Sequence, residues 1–362
     1  MSLRLDKIEV LFICRSLDPN RVAGVYKSAW YIYNTLKKYD DIRVFPFFIP
    51  NSINISGFIG ETIVFFRLLS KIKRKFNKGR TIVYVHNPDD ILPSLGYILR
   101  YPTILVLHDI IPLFKKDRRF LYNLYFKFLH IFLRTLIKHR KIVIMVPSNT
   151  TKRDLTLYHF IKSRVFVNYW GVDTSRYKPI PHLQKEKYSR NRYIIGFLGG
   201  WLGKNKRKRV DILLDAFIKI RQNYDNVELW LAGKYPKWFL EKNKLSIRYF
   251  GILDEDEIPE FYNKLDIFVY PSEYEGFGMQ ILEAIACKTL VLASDIPTFR
   301  EFLPKQLLFK LNSNSLAEKL IEFLDKNKIR KWTDRLYHKY SKGKFSWENT
   351  VYRLYKIIKK IV

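Results

Sequence analysis

Cysteine occurs only twice in the 362 residues, at Cys14 and Cys287, and acidic side chains number 34 against 65 basic ones. Two thiols supply no disulfide framework, and without a Cys-x-x-Cys pair there is no cysteine-based metal site, so a reducing cytoplasm is the expected home. Proline and glycine, 15 of each, are too sparse for a fibrous or disordered chain. No stretch reaches the ~18 uninterrupted apolar residues of a membrane span. The apolar opening IEVLFIC (8–14) has no small-residue cleavage site behind it and reads as a strand rather than a leader. Any membrane contact is therefore expected to be peripheral, on the inner face.

What is present is a globular composition, 48% hydrophobic, in a chain long enough for two domains. A formal net charge of +31 predicts attraction to something anionic: nucleic acid, an acidic membrane or a phosphorylated small molecule. Short β-branched runs alternate with helical patterns from the start: IEVLFIC (8–14), IRVFPFF (42–48), TIVYVHN (81–87), TILVLHD (103–109) and KIVIMVPS (141–148). Continuous apolar strands separated by helices predict a parallel sheet covered on both faces. The pattern lapses over 179–192, a prolyl, charge-dense stretch without apolar period that reads as a linker, and restarts with YIIGFLGG (193–200) and VELWLAGK (227–234). The expected fold is α/β, with two Rossmann-like doubly wound domains facing a central cleft. The boundaries read as 1–178, a first Rossmann-like domain; 179–192, a linker; 193–345, a second Rossmann-like domain; and 346–362, a closing segment.

The stretch EYEGFGMQILEA (273–284) places Glu275 and Glu283 on either side of Gly276, Phe277 and Gly278, between a strand and a helical pattern. Glycines there permit a tight turn, and the first N–H groups of the following helix form an anion site. At about 1.5 Å per helical residue the two carboxylates stand up to ~12 Å apart. That exceeds the ~5–9.5 Å at which a glycosidase holds an acid and a base across one bond. The residue types leave two readings: one solvent-facing and one helix-capping glutamate, or a clamp gripping both ends of an elongated ligand whose anionic middle meets the helix start.

PSEYEGFGMQILEAIACKTLVLASD resembles the E-x7-E region of retaining, GT-B-fold glycosyltransferases of the family-4 type. Six further segments match in the family's order: VLHDIIPL (106–113), VPSNTTKRDL (146–155), NYWGVDTSRYKP (168–179), LLDAF (213–217) with Lys208, LDEDEIPEFYNKLDIFVYPS (253–272) and FSWENT (345–350). The resemblance implies that 1–178 is an acceptor domain, that 193–345 is a donor domain and that 346–362 is a helix crossing back to the first domain. It implies that Glu275 binds donor-sugar hydroxyls and Glu283 the nucleotide ribose. It implies that the backbone N–H groups of Phe277, Gly278 and Met279 meet the sugar and diphosphate, and that Lys208 neutralises the diphosphate. The family's accompanying arginine is replaced by Trp201, so Arg207 is expected to substitute, with Arg209 as second choice. His108 is expected at the donor sugar, and Gly24 and Val25 form the glycine turn under the diphosphate, with Ala23 where many relatives have a second glycine. Lys288 stands where the family usually ends its signature helix with glycine, which puts the local turn in question.

No metal and no cofactor beyond a GDP- or UDP-sugar donor is implied; Asp254, Glu255 and Asp256 read as an acidic helix start. Retention comes from the family, by a same-face displacement in which the departing phosphate helps deprotonate the acceptor. The acceptor is expected to be a glycan, a lipid-linked acceptor or a protein-linked one. FIGETIVFFRLLSKIKRKF (58–76) and LYNLYFKFLHIFLRTLIKHRK (121–141) have the composition of interfacial helices suited to an anionic membrane, although either can bury its apolar side on the sheet. Two rivals remain: a basic nucleic-acid-binding protein, disfavoured because the basic runs are dispersed and match no known module, and a sugar-nucleotide epimerase or phosphorylase on the same fold.

Overall fold

The computed structural model describes residues 7–18, 24–49, 79–87, 90, 94–109, 135, 142–159, 164–200, 206–237, 247–340 and 343–362. The interfacial candidate 58–76 lies outside the described residues, as does 121–141 apart from Thr135. The chain divides into two compact units, Met1–Trp170 with Trp347–Val362, and Gly171–Ser346.

In the first unit the apolar runs become strands β1 (Ile8–Cys14), β2 (Ile42–Phe48), β3 (Thr81–Val85), β4 (Thr103–Val106), β5 (Ile142–Val146) and β6 (Val165–Val167). They form a sheet in the order β2-β1-β3-β4-β5-β6, every neighbouring pair parallel. Strands β3, β4 and β5 are buried throughout, which is why they read as unbroken apolar runs. The first helix, Gly24–Leu36, buries Ala29, Ile32 and Leu36. The closing helix, Trp347–Ile361, buries Val351, Leu354 and Ile358 at the 3.6-residue period and packs beside the first. Trp347 stacks on Tyr31 at 4.8 Å, and Tyr355 on Tyr39 at 4.4 Å. Asp41 fixes the far end by accepting from Tyr355 at 2.8 Å and Lys359 at 2.6 Å.

The second unit carries β7 (Tyr193–Leu198), β8 (Val227–Ala232), β9 (Ile247–Tyr249), β10 (Ile267–Tyr270), β11 (Leu290–Ser294) and β12 (Leu308–Phe309), in the order β12-β11-β10-β7-β8-β9, again parallel. From β7 the chain winds outward through β8 and β9, then returns to β10 on the other side of β7. In such sheets ligands bind outside the carboxyl ends of the strands at the reversal, here β7 and β10. The corresponding reversal in the first unit lies between β1 and β3.

The stretch read as a linker is instead largely helical over Pro181–Ser189, with Pro181 at the start of the helix. Its buried side is Leu183 and the whole of Lys187, fastened by Gln184 to Asn263 Oδ1 at 2.8 Å and to the Cys287 carbonyl at 3.1 Å. A helix docked mainly through polar groups has no apolar period to reveal it. Residues 171–178 also belong to the second unit, tied by Val172 N–H to the Phe345 carbonyl at 2.8 Å and by Arg176 to Asp256 at 2.5 Å. The acidic Asp254–Asp256 run sits just before the helix Ile258–Lys264, with Asp254 N–H donating to Glu257 Oε2 at 2.8 Å.

Candidate active site

Residues from the ends of β7 and β10 converge on one buried carboxylate. Glu275, 7% exposed, follows β10 through Pro271 and Ser272. Its Oε1 accepts from Tyr270 Oη at 3.0 Å and Ser272 Oγ at 2.9 Å, and lies 3.1 Å from Lys208 Nζ. Oε2 faces Arg207 Nη1 at 3.6 Å. Lys208 also donates to the Tyr270 hydroxyl and, at 3.5 Å, to Gln280 Oε1, and its ammonium stands 4.1 Å over the Tyr270 ring. The loop after β7 is stitched to the loop after β10 by Glu273 N–H donating to the Arg207 carbonyl at 2.7 Å. Gln280 ties the helix start to β7 through the Leu198 carbonyl at 3.1 Å.

Burial opposes ionisation of Glu275, but Lys208 and Arg207 outweigh it and hold the carboxyl below its ordinary range. For Lys208 the balance falls the other way: burial lowers its pKa despite the attraction of Glu275. Burial, and then the Glu275 charge, drive the Tyr270 phenol well above its usual range, so it stays a hydroxyl at every working pH.

The Gly-Phe-Gly turn opens the helix Met279–Ala286 as its glycines suggest. Gly278 has φ 95° at the N-cap, in left-handed space, and a Cβ there would come within 2.8 Å of Phe299 Cε1. No side chain caps this helix start. Phe277 is buried against Phe302, ring centroids 4.9 Å apart, and anchors the turn. Glu283, 5% exposed, lies inside the helix and accepts from the Tyr262 hydroxyl at 3.3 Å.

Of the two arginines offered in place of Trp201, Arg207 reaches the Glu275 cluster. Arg209 forks onto Asp211 at 2.9–3.1 Å, at the start of the helix Val210–Arg221. Trp201 lies outside the described residues. The questioned turn at Lys288 keeps the geometry glycine would give: φ is 52°, Lys288 N–H donates to the Ile285 carbonyl and Thr289 N–H to that of Ala284, both at 3.0 Å.

In the first unit, His108 Nε2 bonds the His86 carbonyl at 2.9 Å. A carbonyl only accepts, so Nε2 carries the proton, and the neutral ring, its pKa pushed down to about 4 by burial, presents Nδ1 as an acceptor. His86 donates through Nε2 to the Val25 carbonyl at 2.9 Å, directly after Gly24 at the first helix start. Thus Val25 and His108 are joined through His86, which sequence reasoning did not single out; its place after β3, beside the reversal of the sheet, was the available signal. Tyr270, Ser272 and Gln280 were missed in the same way, although Gln280 lies inside the quoted stretch 273–284 and the other two stand just before it.

Two family models match: one described as Glycosyltransferase Family 4 over residues 3–176, and one described as Glycosyl transferases group 1 over 192–326. The chain belongs to the group 1, family 4 glycosyltransferases. Among curated relatives, an uncharacterized glycosyltransferase of Methanocaldococcus jannaschii is 31% identical over 56% of this chain and 55% of its own length. The O-antigen chain mannosyltransferase RfbU of Salmonella typhimurium is 27% identical over 59% of this chain and 57% of its own. The match thus spans little more than half the length of either relative. Sucrose-phosphate synthase of Thermosynechococcus elongatus superposes with a TM-score of 0.79 at 15% identity, covering 98% of this chain and 99% of that one. HepE of Anabaena, solved in complex with UDP-glucose, gives 0.73 at 16%, covering 98% and 100%. At those identities the likeness establishes the GT-B fold of this family 4 member. Among the described residues, no helix is long and apolar enough to cross a membrane.

Proposed function

We propose that the chain moves a hexose of the mannose or glucose type from a nucleoside-diphosphate sugar to a glycan acceptor, free, lipid-linked or protein-linked, with retention of anomeric configuration. The observation that carries this reading is the cluster of Lys208, Arg207 and Glu275 at the β7/β10 reversal, beside a glycine-opened helix start. Two cations beside the positive end of a helix suit a diphosphate, and a buried ionised carboxylate beside them suits the hydroxyls of the sugar it carries. The relatives named a mannosyltransferase and the fold neighbour holding UDP-glucose fit the same donor class.

In this reading the diphosphate lies at the start of the helix Met279–Ala286, against the amides of Phe277, Gly278 and Met279, with Lys208 and Arg207 as counter-charges. Charge grows on the departing phosphate as the glycosidic bond breaks, so fixed cations stabilise the transition state more than the ground state. Oε1 of Glu275 is already occupied by three donors, which leaves Oε2 to accept from a sugar hydroxyl. Glu283 takes the ribose hydroxyls, and His108 accepts from a sugar hydroxyl through Nδ1. The phosphate oxygen released by bond cleavage takes the acceptor's proton on the same face, which gives retention without a protein nucleophile. Peripheral contact with an anionic membrane through 58–76 or 121–141 belongs to the same proposal, as does the division of labour between an acceptor-binding first unit and a donor-binding second.

A thermal-shift series with UDP, GDP, UDP-glucose and GDP-mannose tests the donor site. A ligand at about a hundred times its Kd stabilises the fold by about 2.7 kcal/mol. The expected result is a shift with one base series that is lost in Lys208→Met; no shift with any member of the series refutes the reading.

A further inference from the structure

We propose that Tyr270 is a positioning residue of the donor site: its hydroxyl, between Lys208 and Glu275, fixes the carboxylate in its ionised, aimed state when the lysine turns to the diphosphate. The inference rests on the donor-site reading above. Tyr270 ends β10 in register with Ala293 and is 2% exposed, with its ring 5.3 Å from that of Phe299 and 5.9 Å from that of Phe268. A phenol so confined cannot turn away.

A hydroxyl donates once and accepts as well. Here it accepts from Lys208 and donates to Glu275 Oε1 at 3.0 Å, while the ring face lies under the same ammonium. The ammonium has three N–H groups, directed at Tyr270, Glu275 and, at the long distance of 3.5 Å, Gln280. An arriving diphosphate draws Lys208 toward itself, and the carboxylate then loses part of its charge compensation while still buried. Tyr270 and Ser272 are the donors that stay, and Tyr270 alone of the two also steadies the lysine. A structural role in the core needs the ring but not the oxygen, so Tyr270→Phe separates the two.

The test compares wild type and Tyr270→Phe in turnover of UDP-glucose and GDP-mannose across pH, with nucleotide release as readout. The expected result is kcat reduced by roughly tenfold with KM changed by less than about threefold. A hydrogen bond to the charged form lowers a carboxyl pKa, so its removal moves the acid limb of the profile upward by about one pH unit. If Tyr270→Phe does not fold, 3-fluorotyrosine at 270 strengthens the donor without removing it and must move the acid limb downward. Titration of the Glu275 carboxyl carbon by NMR reads the same shift without any donor. An unchanged Glu275 titration, or a wild-type acid limb, in the variant overturns the assignment; loss of turnover and of nucleotide stabilisation in wild type would refute the donor site instead.

Discussion

Lys208 Nζ and Glu275 Oε1 lie 3.1 Å apart, although one residue follows β7 and the other β10. The pair exists because the sheet reverses between these two strands and brings their carboxyl ends side by side. Each charge is shielded from water and depends on the other.

Removing the second partner therefore costs less than removing the first. Glu275→Gln and Lys208→Met are each expected to lower stability by about 3 kcal/mol, since each strands a largely buried charge. The double variant is expected to be less destabilised than the sum of the singles, by about 1–3 kcal/mol, in urea denaturation. Strict additivity would show that Arg207 and Tyr270 already satisfy each group alone. Turnover behaves differently, because all three variants are expected to lose about two orders of magnitude or more.

The left-handed turn at Lys288 gives a second outcome. Side chains with a Cβ cost about 1–2 kcal/mol in that conformation, while the Lys288–Asp334 pair at 2.8 Å is partly exposed to solvent and worth about 0–1 kcal/mol. Lys288→Gly is expected to exceed Lys288→Ala in stability by about 1 kcal/mol, because both lose the ion pair and only glycine relieves the backbone. Equal urea midpoints for the two would mean that the turn has relaxed.

Lys187 carries a pH dependence. Burial, only partly offset by Asp266, and with Arg190 and Lys326 opposing, lowers its pKa from 10.5 to about 7, while its ammonium donates to the Lys288 carbonyl at 3.0 Å. Cys287 is the remaining titratable neighbour. Between pH 7 and 10.5 the unfolded chain binds a proton that the folded one does not, so this residue makes stability rise with pH across that window. Below the window both states are charged and the full burial cost is present. Lys187→Met is therefore expected to gain in Tm relative to wild type at pH 6 and to lose that advantage by pH 10; a pH-independent difference would contradict the assignment.

Strands such as β3, β5 and β10 were legible because burial on both faces leaves only apolar residues to choose from. The Glu275–Glu283 pair was legible because a glycine turn and a helix start leave a local imprint. Tyr270 was not, since its meaning lies in a lysine brought to it by the sheet, and tyrosine at a strand end has an ordinary core explanation. The helix Pro181–Ser189 was hidden because its buried side is one leucine and one lysine. Lys288 looked like a broken rule, yet the backbone keeps the turn and pays for it in strain.

The helix Trp347–Ile361 belongs to the unit that begins the chain, although the whole of Gly171–Ser346 is made in between. During synthesis, therefore, Tyr31 and Tyr39 wait without the rings that cover them until the second unit has left the ribosome. The first unit folds fully only after its successor has been translated. At the usual ~5–20 residues per second, its apolar first helix stays open for roughly ten to thirty seconds in every molecule made, a window in which a chaperone has something to hold.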